Sequence, residues 1–326
     1  MKGRNYQKWI FAAAVLVMAA AFGISLLVGR YTIQWGEIGG DTMSTRVFFS
    51  LRLPRTCMAL LAGVGLSVAG SVYQSLFRNP LAAPDIIGAS SGASAGAAAA
   101  ILWLGGGAVA TALCAFAGGF VAVLLALALS AASGKRGAIT VVLSGIAVNA
   151  VAQAVLMLMK LTADPEKQLA SIEFWVMGSF GDITMDKLLG AAPWALAGLA
   201  GLFLLHRQVL LLGLDEEEAR ALGVRTTLMR RCILLLATLV TGAIISVTGL
   251  ISFIGLIAPH LARLITRSSR FSTTVLSGIL GGALLLIADC LARSIGSSEV
   301  PVSIITSLLG APFLFWLMCR KGEEHG

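Results

Sequence analysis

Residues 78–93 read Arg78-Asn79-Pro80-Leu81-Ala82-Ala83-Pro84-Asp85-Ile86-Ile87-Gly88-Ala89-Ser90-Ser91-Gly92-Ala93. The stretch is polar, twice interrupted by proline, and flanked on both sides by long apolar runs. A proline cannot continue a helix from within, so the preceding helix must end near Phe77 and a new one start around Pro84. Irregular backbone is not tolerated against lipid at membrane depth. This hinge therefore belongs at an interface or inside protein, and the flanking runs are separate spans.

Working outward, the whole chain has the same character. Of its 326 residues 57% are hydrophobic, the mean hydropathy is +0.90 and only 12% are charged. A soluble domain carries about 25% charged residues, and no soluble core could absorb this apolar excess. The fold class is all-α, a polytopic membrane protein forming one transmembrane domain over residues 1–326. Its 37 glycines and the Ala95 to Ala100 run suit membrane helices, whose association depends on close packing of small residues.

The net charge of +8 does not point to nucleic acid, because the basic residues sit in short loops between apolar runs, as topology signals do. Cys57, Cys114, Cys232, Cys290 and Cys319 stand singly in or beside apolar runs, without a CxxC pair. They read as small buried hydrophobes rather than a metal or disulfide set. Three histidines are too few and too scattered for a metal site. The first apolar run, Trp9 to Val28, is longer than a signal-peptide core and lacks a small-residue cleavage site after it, so it reads as the first membrane helix.

Helices are expected near 9–29, 56–77, 86–104, 107–132, 138–160, 190–206, 232–250, 253–266, 272–296 and 304–319. The eighth is short, bounded by Gly255 and Pro259-His260. Charge decides it. With ten spans, 16 of the 24 Lys and Arg fall on the side of the N-terminus; without the eighth, the split is 12 against 12. The positive-inside rule favours ten spans with both termini in the cytoplasm. An internal echo links residues 63–70 with 242–249, which share Gly, Ser, Val and Gly at equivalent places. In this topology the two copies run in opposite directions, as in transporters built on inverted repeats.

The longest inner loop, near 207–231, holds Leu214-Asp215-Glu216-Glu217-Glu218-Ala219-Arg220-Ala221-Leu222-Gly223-Val224. Asp215 is a good N-cap, Glu218 completes a capping-box spacing, and Gly223 can take the left-handed position past the helix end. Three acids would repel anionic lipid headgroups, so the short helix suits a protein partner better than the membrane surface. Ser133-Gly134-Lys135-Arg136 lacks the residues of a phosphate-binding loop, so any ATP would be hydrolysed on another subunit. Within spans the polar residues are few: Gln74, Asn149 and Gln153, with Asp85 and Asp289 near span ends. A charge at the bilayer centre costs about 2.5–3.5 kcal/mol on insertion scales. The scarcity of such acids argues against a proton- or sodium-coupled carrier.

Several of these segments together resemble the FecCD permease family, the membrane subunits of ATP-binding-cassette importers for ferric siderophores, haem and cobalamin. The resemblance covers roughly residues 45–320. It rests on the 78–93 hinge, the Glu-Ala-Arg-Ala-Leu-Gly-Val run 218–224, and the stretch Gly249-Leu250-Ile251-Ser252-Phe253-Ile254-Gly255-Leu256-Ile257-Ala258-Pro259-His260-Leu261-Ala262-Arg263. Trp175 to Phe180, Glu299 to Ser303 and Gly310-Ala311-Pro312 add to it. Two residues depart from the family pattern: Asp215 and Ser303 both stand where glycine is usual.

The resemblance implies a type II importer permease bundle, with no catalytic residue, metal or cofactor of its own; ATP and Mg would be held by a partner ATPase. Residues 218–224 would be the coupling helix that docks into that ATPase, with Asp215 and Glu218 at its start and Ala219, Leu222 and Gly223 on its packing face. Arg52, Arg55 and Arg293 match arginines that pair with glutamates of an extracytoplasmic substrate-binding protein; the plain alternative is anchoring of helix ends. Exposed pairs of that kind are worth about 0–1 kcal/mol each. Hinge and pathway candidates are Gln74, Asn79, Pro80, Pro84, Asp85, Gly88, Ser90, Gly92, Gly255 and Pro259. The implied partners are a cytoplasmic ATPase dimer, the binding protein, a second permease copy (identical before paralogous) and the bilayer of the cell membrane, with no nucleic acid. The implied cargo is a metal chelate, a ferric siderophore first, then haem or cobalamin. Two other classes compete: a secondary transporter on inverted repeats, which needs mid-membrane acids, and an intramembrane enzyme, which needs a clustered nucleophile and base.

Overall fold

The computed structural model describes residues 2–29, 31–34, 36, 38–134, 137–268, 270–295 and 299–323. Arg30, Lys135 and Arg136, which entered the charge count, lie outside them. In chain order the helices are α1 (Lys2–Leu27), α2 (Met43–Val47), α3 (Leu53–Leu76), α4 (Ala89–Trp103), α5 (Ala108–Ala132), α6 (Ala138–Thr162) and α7 (Ala170–Met177). They continue with α8 (Met185–Leu204), α9 (His206–Leu212), α10 (Glu216–Ala221), α11 (Thr226–Thr248), α12 (Ile254–Thr266), α13 (Phe271–Ser294) and α14 (Val302–Glu323). A π-helical turn over Phe48–Arg52 joins α2 to α3 in one 34-residue rod. The β pairing among the described residues is an isolated bridge between Ile38 and Gly40.

Each of the ten expected spans corresponds to one helix. Among the described residues seven stretches are long and apolar enough to cross a membrane by length and composition; α4, α12 and the apolar part of α14 are shorter. Two helices begin well before the apolar signal does. The side chain of Thr184 caps α8 by accepting from the Lys187 amide at 3.4 Å, so that helix starts on polar residues at Met185. α11 starts at Thr226 because its first turns bury Arg230 against an acid from another segment. Hydropathy is blind to both causes.

The hinge has a finer structure than two breaks. Arg78 takes a left-handed conformation (φ 48°), Asn79 Oδ1 accepts from the Leu81 amide at 2.9 Å, and Pro84–Ile87 forms a 3-10 turn. Gly88 then stands at φ 83°, where a side chain would be strained, and α4 begins only at Ala89. Residues 78–81 are exposed, as expected of a hinge at the end of a span. The expected break at Pro259 is absent: Pro259 lies inside α12, and the chain turns instead at Gly249 (φ 70°) and Phe253 (φ 67°).

α3, α11 and α13 form the centre of the bundle, while α1, α5 and α6 turn much of their apolar surface outward. Small residues set the central spacing. A Cβ on Gly70 would overlap the Gly255 carbonyl of α12, and one on Gly63 would overlap Gly281 of α13. Replacing Gly70 by Ala is therefore expected to wedge α3 from α12 and cost about 1–3 kcal/mol. The melting temperature of purified protein checks it. Gly190→Ala on α8, where a Cβ meets open space, is the control that should be neutral or stabilising.

The two halves of the echo pack on each other, Gly65 against Ile244, but they are not equivalent throughout: Gly70 is mid-helix and Gly249 ends one. The cysteines also differ from expectation, since four are half-buried and Cys319 is exposed.

Candidate functional site

At one end of the bundle three segments meet: the hinge after α3, the α10 loop and the start of α11. Asp215 occupies the N-cap position of α10 with extended backbone, but its side chain makes no capping bond. It pairs with Arg78 of the hinge instead. Glu218 does not close a capping box, and Gly223 does take the left-handed conformation (φ 81°). The Gly223 amide donates to the Arg220 carbonyl at 2.9 Å and the Val224 amide to Ala219 at 3.1 Å, a Schellman termination.

The orientation of α10 differs from the expected packing face at one position. Ala219 is 1% exposed and packs within the chain, whereas Leu222 is 60% exposed, with Glu217, Glu218, Ala221 and Gly223 open beside it. The residue that anchors the helix was not singled out from sequence. Glu216 accepts from Arg220 Nη2 at 2.6 Å and from Thr226 Oγ1 at 3.4 Å, and lies 3.5 Å from the buried Arg230 of α11. The i,i+4 spacing of Glu216 and Arg220 was legible; the reach to Arg230 was not.

Behind the hinge, Arg263 of α12 donates to Gln74 Oε1 of α3 and to His260 Nδ1 at 3.2 Å. His260 is thus held in structure, and Gln74 Nε2 is buried without a partner among the described residues. Gly88 packs on Asn149 of α6, Gly92 on Gly118 and Ala122 of α5, and Gly255 on Leu66 of α3. Ser90 is buried in α4 with its carbonyl accepting from Ser94 Oγ at 3.0 Å. The three glycines thus stand at close contacts between elements, while the Ser90 bond lies within α4. Asn79, Pro80 and Asp85 are exposed at the hinge, and Pro84 opens its 3-10 turn.

The opposite end corrects the expectation of arginines displayed for an external partner. Arg52, Arg55 and Arg293 are buried and bonded within the chain. Arg55 donates to Asp289 Oδ1 at 2.9 and 3.0 Å and to both oxygens of Glu299 at 2.8 and 3.0 Å. Arg293 meets the other Asp289 oxygen at 2.9 Å and donates to Ser25 Oγ and to the Ser25 and Val28 carbonyls at the end of α1. Arg52 donates to the Leu26, Leu27 and Tyr31 carbonyls. The reason is the C-terminus of α1, whose orphan carbonyls need donors in an apolar setting. Asp289 is 0% exposed; it lies at the junction of α3, α13 and the segment before α14 as the shared counter-ion. The i,i+4 pair Asp289 and Arg293 was visible in sequence, the link to Arg55 across 234 residues was not.

Toward this end an open cavity of about 800 Å³ lies between the α4–α5 turn, the 167–187 segment and the end of α11, with Lys167, Trp175, Asp182, Lys187 and Thr248 on its wall. Ligand pockets commonly measure about 300–1,000 Å³. Gly178 and Gly249 approach each other's strands of chain so closely that a side chain on either would overlap backbone, and the Ser179 amide donates to Thr248 at 2.8 Å. Ser303, where the sequence pattern led glycine to be expected, donates to the Leu250 carbonyl. No cluster of His, Cys, Asp and Glu able to hold a metal occurs among the described residues.

A bundle of apolar helices, seven of them long enough to span among the described residues, is that of a multi-pass membrane protein. Residues 16–320 match the FecCD transport family, and the chain belongs to it. The chain is 37% identical to the hemin transport system permease protein HmuU of Yersinia pestis, over 95% of this chain and 94% of that one. It is 34% identical to the molybdate import system permease protein MolB of Haemophilus influenzae, over 100% and 99%. It is 32% identical to the vitamin B12 import system permease protein BtuC of Escherichia coli, over 98% and 97%. Among solved structures, an inward-facing metal-chelate type ABC transporter superposes with a TM-score of 0.87 at 34% identity, over 96% of this chain and 99% of that one. The protein is therefore an ABC importer permease of the cell membrane, and ATP hydrolysis lies in a separate subunit.

Proposed function

We propose that this permease carries a metal chelate inward, with ferric siderophores first and haem or cobalamin after them. It works with a cytoplasmic ATPase pair, an extracytoplasmic binding protein and a second permease copy, most simply an identical one. The observation that carries this reading is the end-to-end match to a family whose similar members are named for hemin and vitamin B12. The gathering of basic residues in the loops at the hinge end supports a cytoplasmic position for it, with α10 and both termini. α10 then offers Leu222 and its acidic neighbours to the ATPase. Its ties to Arg230 and Arg78 let a displacement of α10 reach α11 and the hinge between α3 and α4 together. At the outer end the buried arginine network braces the bundle, so binding-protein docking falls to other groups of the outer surface. The cavity of about 800 Å³ there has room for a chelate of several hundred daltons.

The test is uptake by cells lacking the gene, compared with the complemented strain. Loss of ferric siderophore uptake, with cobalamin, haem and molybdate uptake unchanged, is the expected result. Loss confined to molybdate would replace the chelate by an oxyanion, the cargo in the name of one full-length relative. Uptake intact for all four would overturn the reading.

A further inference from the structure

At the hinge end a second cavity, about 460 Å³, lies between the ends of α5 and α6 and the first turns of α11. Ser130, Gly134, Gly137, Thr227, Arg230 and Arg231 are on its wall. Arg230 is 5% exposed, and its Nε is buried with no hydrogen-bond partner among the described residues. Glu216, 3.5 Å away, occupies one edge of this guanidinium and leaves the Nε edge unmet. The wall adds a second guanidinium on the exposed Arg231 and the hydroxyls of Ser130 and Thr227. This donor set suits a phosphate, which accepts through several oxygens at once.

The surroundings say what carries the phosphate. Leu129, Ile139, Leu143 and Leu228 stand exposed on the same helix ends, a wall for acyl chains beside a basic recess. Basic recesses between membrane helices near the headgroup layer are where anionic lipids are recognised. We propose that this cavity is a site for an anionic phospholipid, its headgroup phosphate on Arg230, Arg231 and Thr227 and its chains along α5, α6 and α11. The site adjoins the anchor of α10, so its occupancy bears on how firmly the α10 loop is held. The proposal does not depend on which cargo is transported.

The experiment is native mass spectrometry and thermal melting of the purified full-length protein, delipidated and then returned to nanodiscs of phosphatidylglycerol or of phosphatidylcholine. Phosphatidylglycerol is expected to stay bound as a discrete adduct and to raise the melting temperature; phosphatidylcholine is not. R231Q and T227A are expected to lower phosphatidylglycerol retention about tenfold; R230Q also should, but it loses the Glu216 contact and could fail to fold. R207Q removes an exposed charge outside the cavity and should retain the lipid. Equal behaviour of the two lipids, unchanged retention in R231Q and T227A, or an equal loss in R207Q overturns the site. Equal protection by millimolar inorganic phosphate would assign it to a free anion and overturn the lipid. Loss of a co-purified protein in R231Q with lipid retention intact would assign it to an acidic protein surface, with the same consequence.

Discussion

Leu222→Asp is expected to separate the permease from its ATPase while leaving the bundle intact. Leu222 is 60% exposed at the end of α10, so its side chain contributes little to this chain's own stability. A charge at the C-terminal end of a short helix opposes the local dipole by about 0.3–1 kcal/mol, and the Schellman bonds of Gly223 and Val224 are backbone bonds that the substitution keeps. At the centre of a protein interface the same change costs far more. A leucine seated in a dry contact and replaced by a carboxylate loses about 2–4 kcal/mol, a thirtyfold to thousandfold drop in affinity. Capture of tagged protein from its own membranes reads this directly. An ATPase subunit bound to the wild type and missing from the variant, at equal melting temperature, is the expected outcome. Equal capture would remove α10 from the coupling role, and no ATPase with the wild type would turn the argument towards a carrier that works alone.

Asp289→Ala is expected to be the most damaging single change in the bundle. Asp289 is fully buried and neutralises Arg55 and Arg293, which also hold the end of α1 and, through Glu299, the segment leading into α14. Removing one partner of a buried ion pair costs about 3–5 kcal/mol, because an unpaired charge is left inside. Here two guanidinium groups lose their shared counter-ion, so the variant should sit at or beyond the top of that range. Little folded protein should survive detergent extraction. Glu299→Gln removes a half-exposed partner of Arg55 and should cost no more than about 1 kcal/mol. If Asp289→Ala melts with the wild type, the network is not the brace described here.

Much of this was legible in the sequence, for reasons of solvent. In lipid every backbone group must be satisfied within its own helix, so the apolar runs marked the order of the membrane helices, down to the short α12. Pro80 and Pro84 placed the hinge, and Gly223 placed the end of α10, because those residues constrain the backbone locally. The same local logic over-reached at Pro259, where a proline sits inside a helix, and at Asp215, whose side chain preferred Arg78 to the capping bond.

Only the tertiary structure decided what the charged residues do. Arg52, Arg55 and Arg293 read as surface groups because, one by one, an arginine near a span end is ordinarily exposed. Three helix ends converging on one apolar region turned them inward, around an aspartate 234 residues from Arg55 along the chain. Ala219 faces the bundle and Leu222 faces out because Glu216 reaches Arg230 on another helix, a contact with no local signature. Backbone periodicity and breaks are written in neighbouring residues; the pairing of buried charges depends on distances between helices, and those exist only once the bundle is packed.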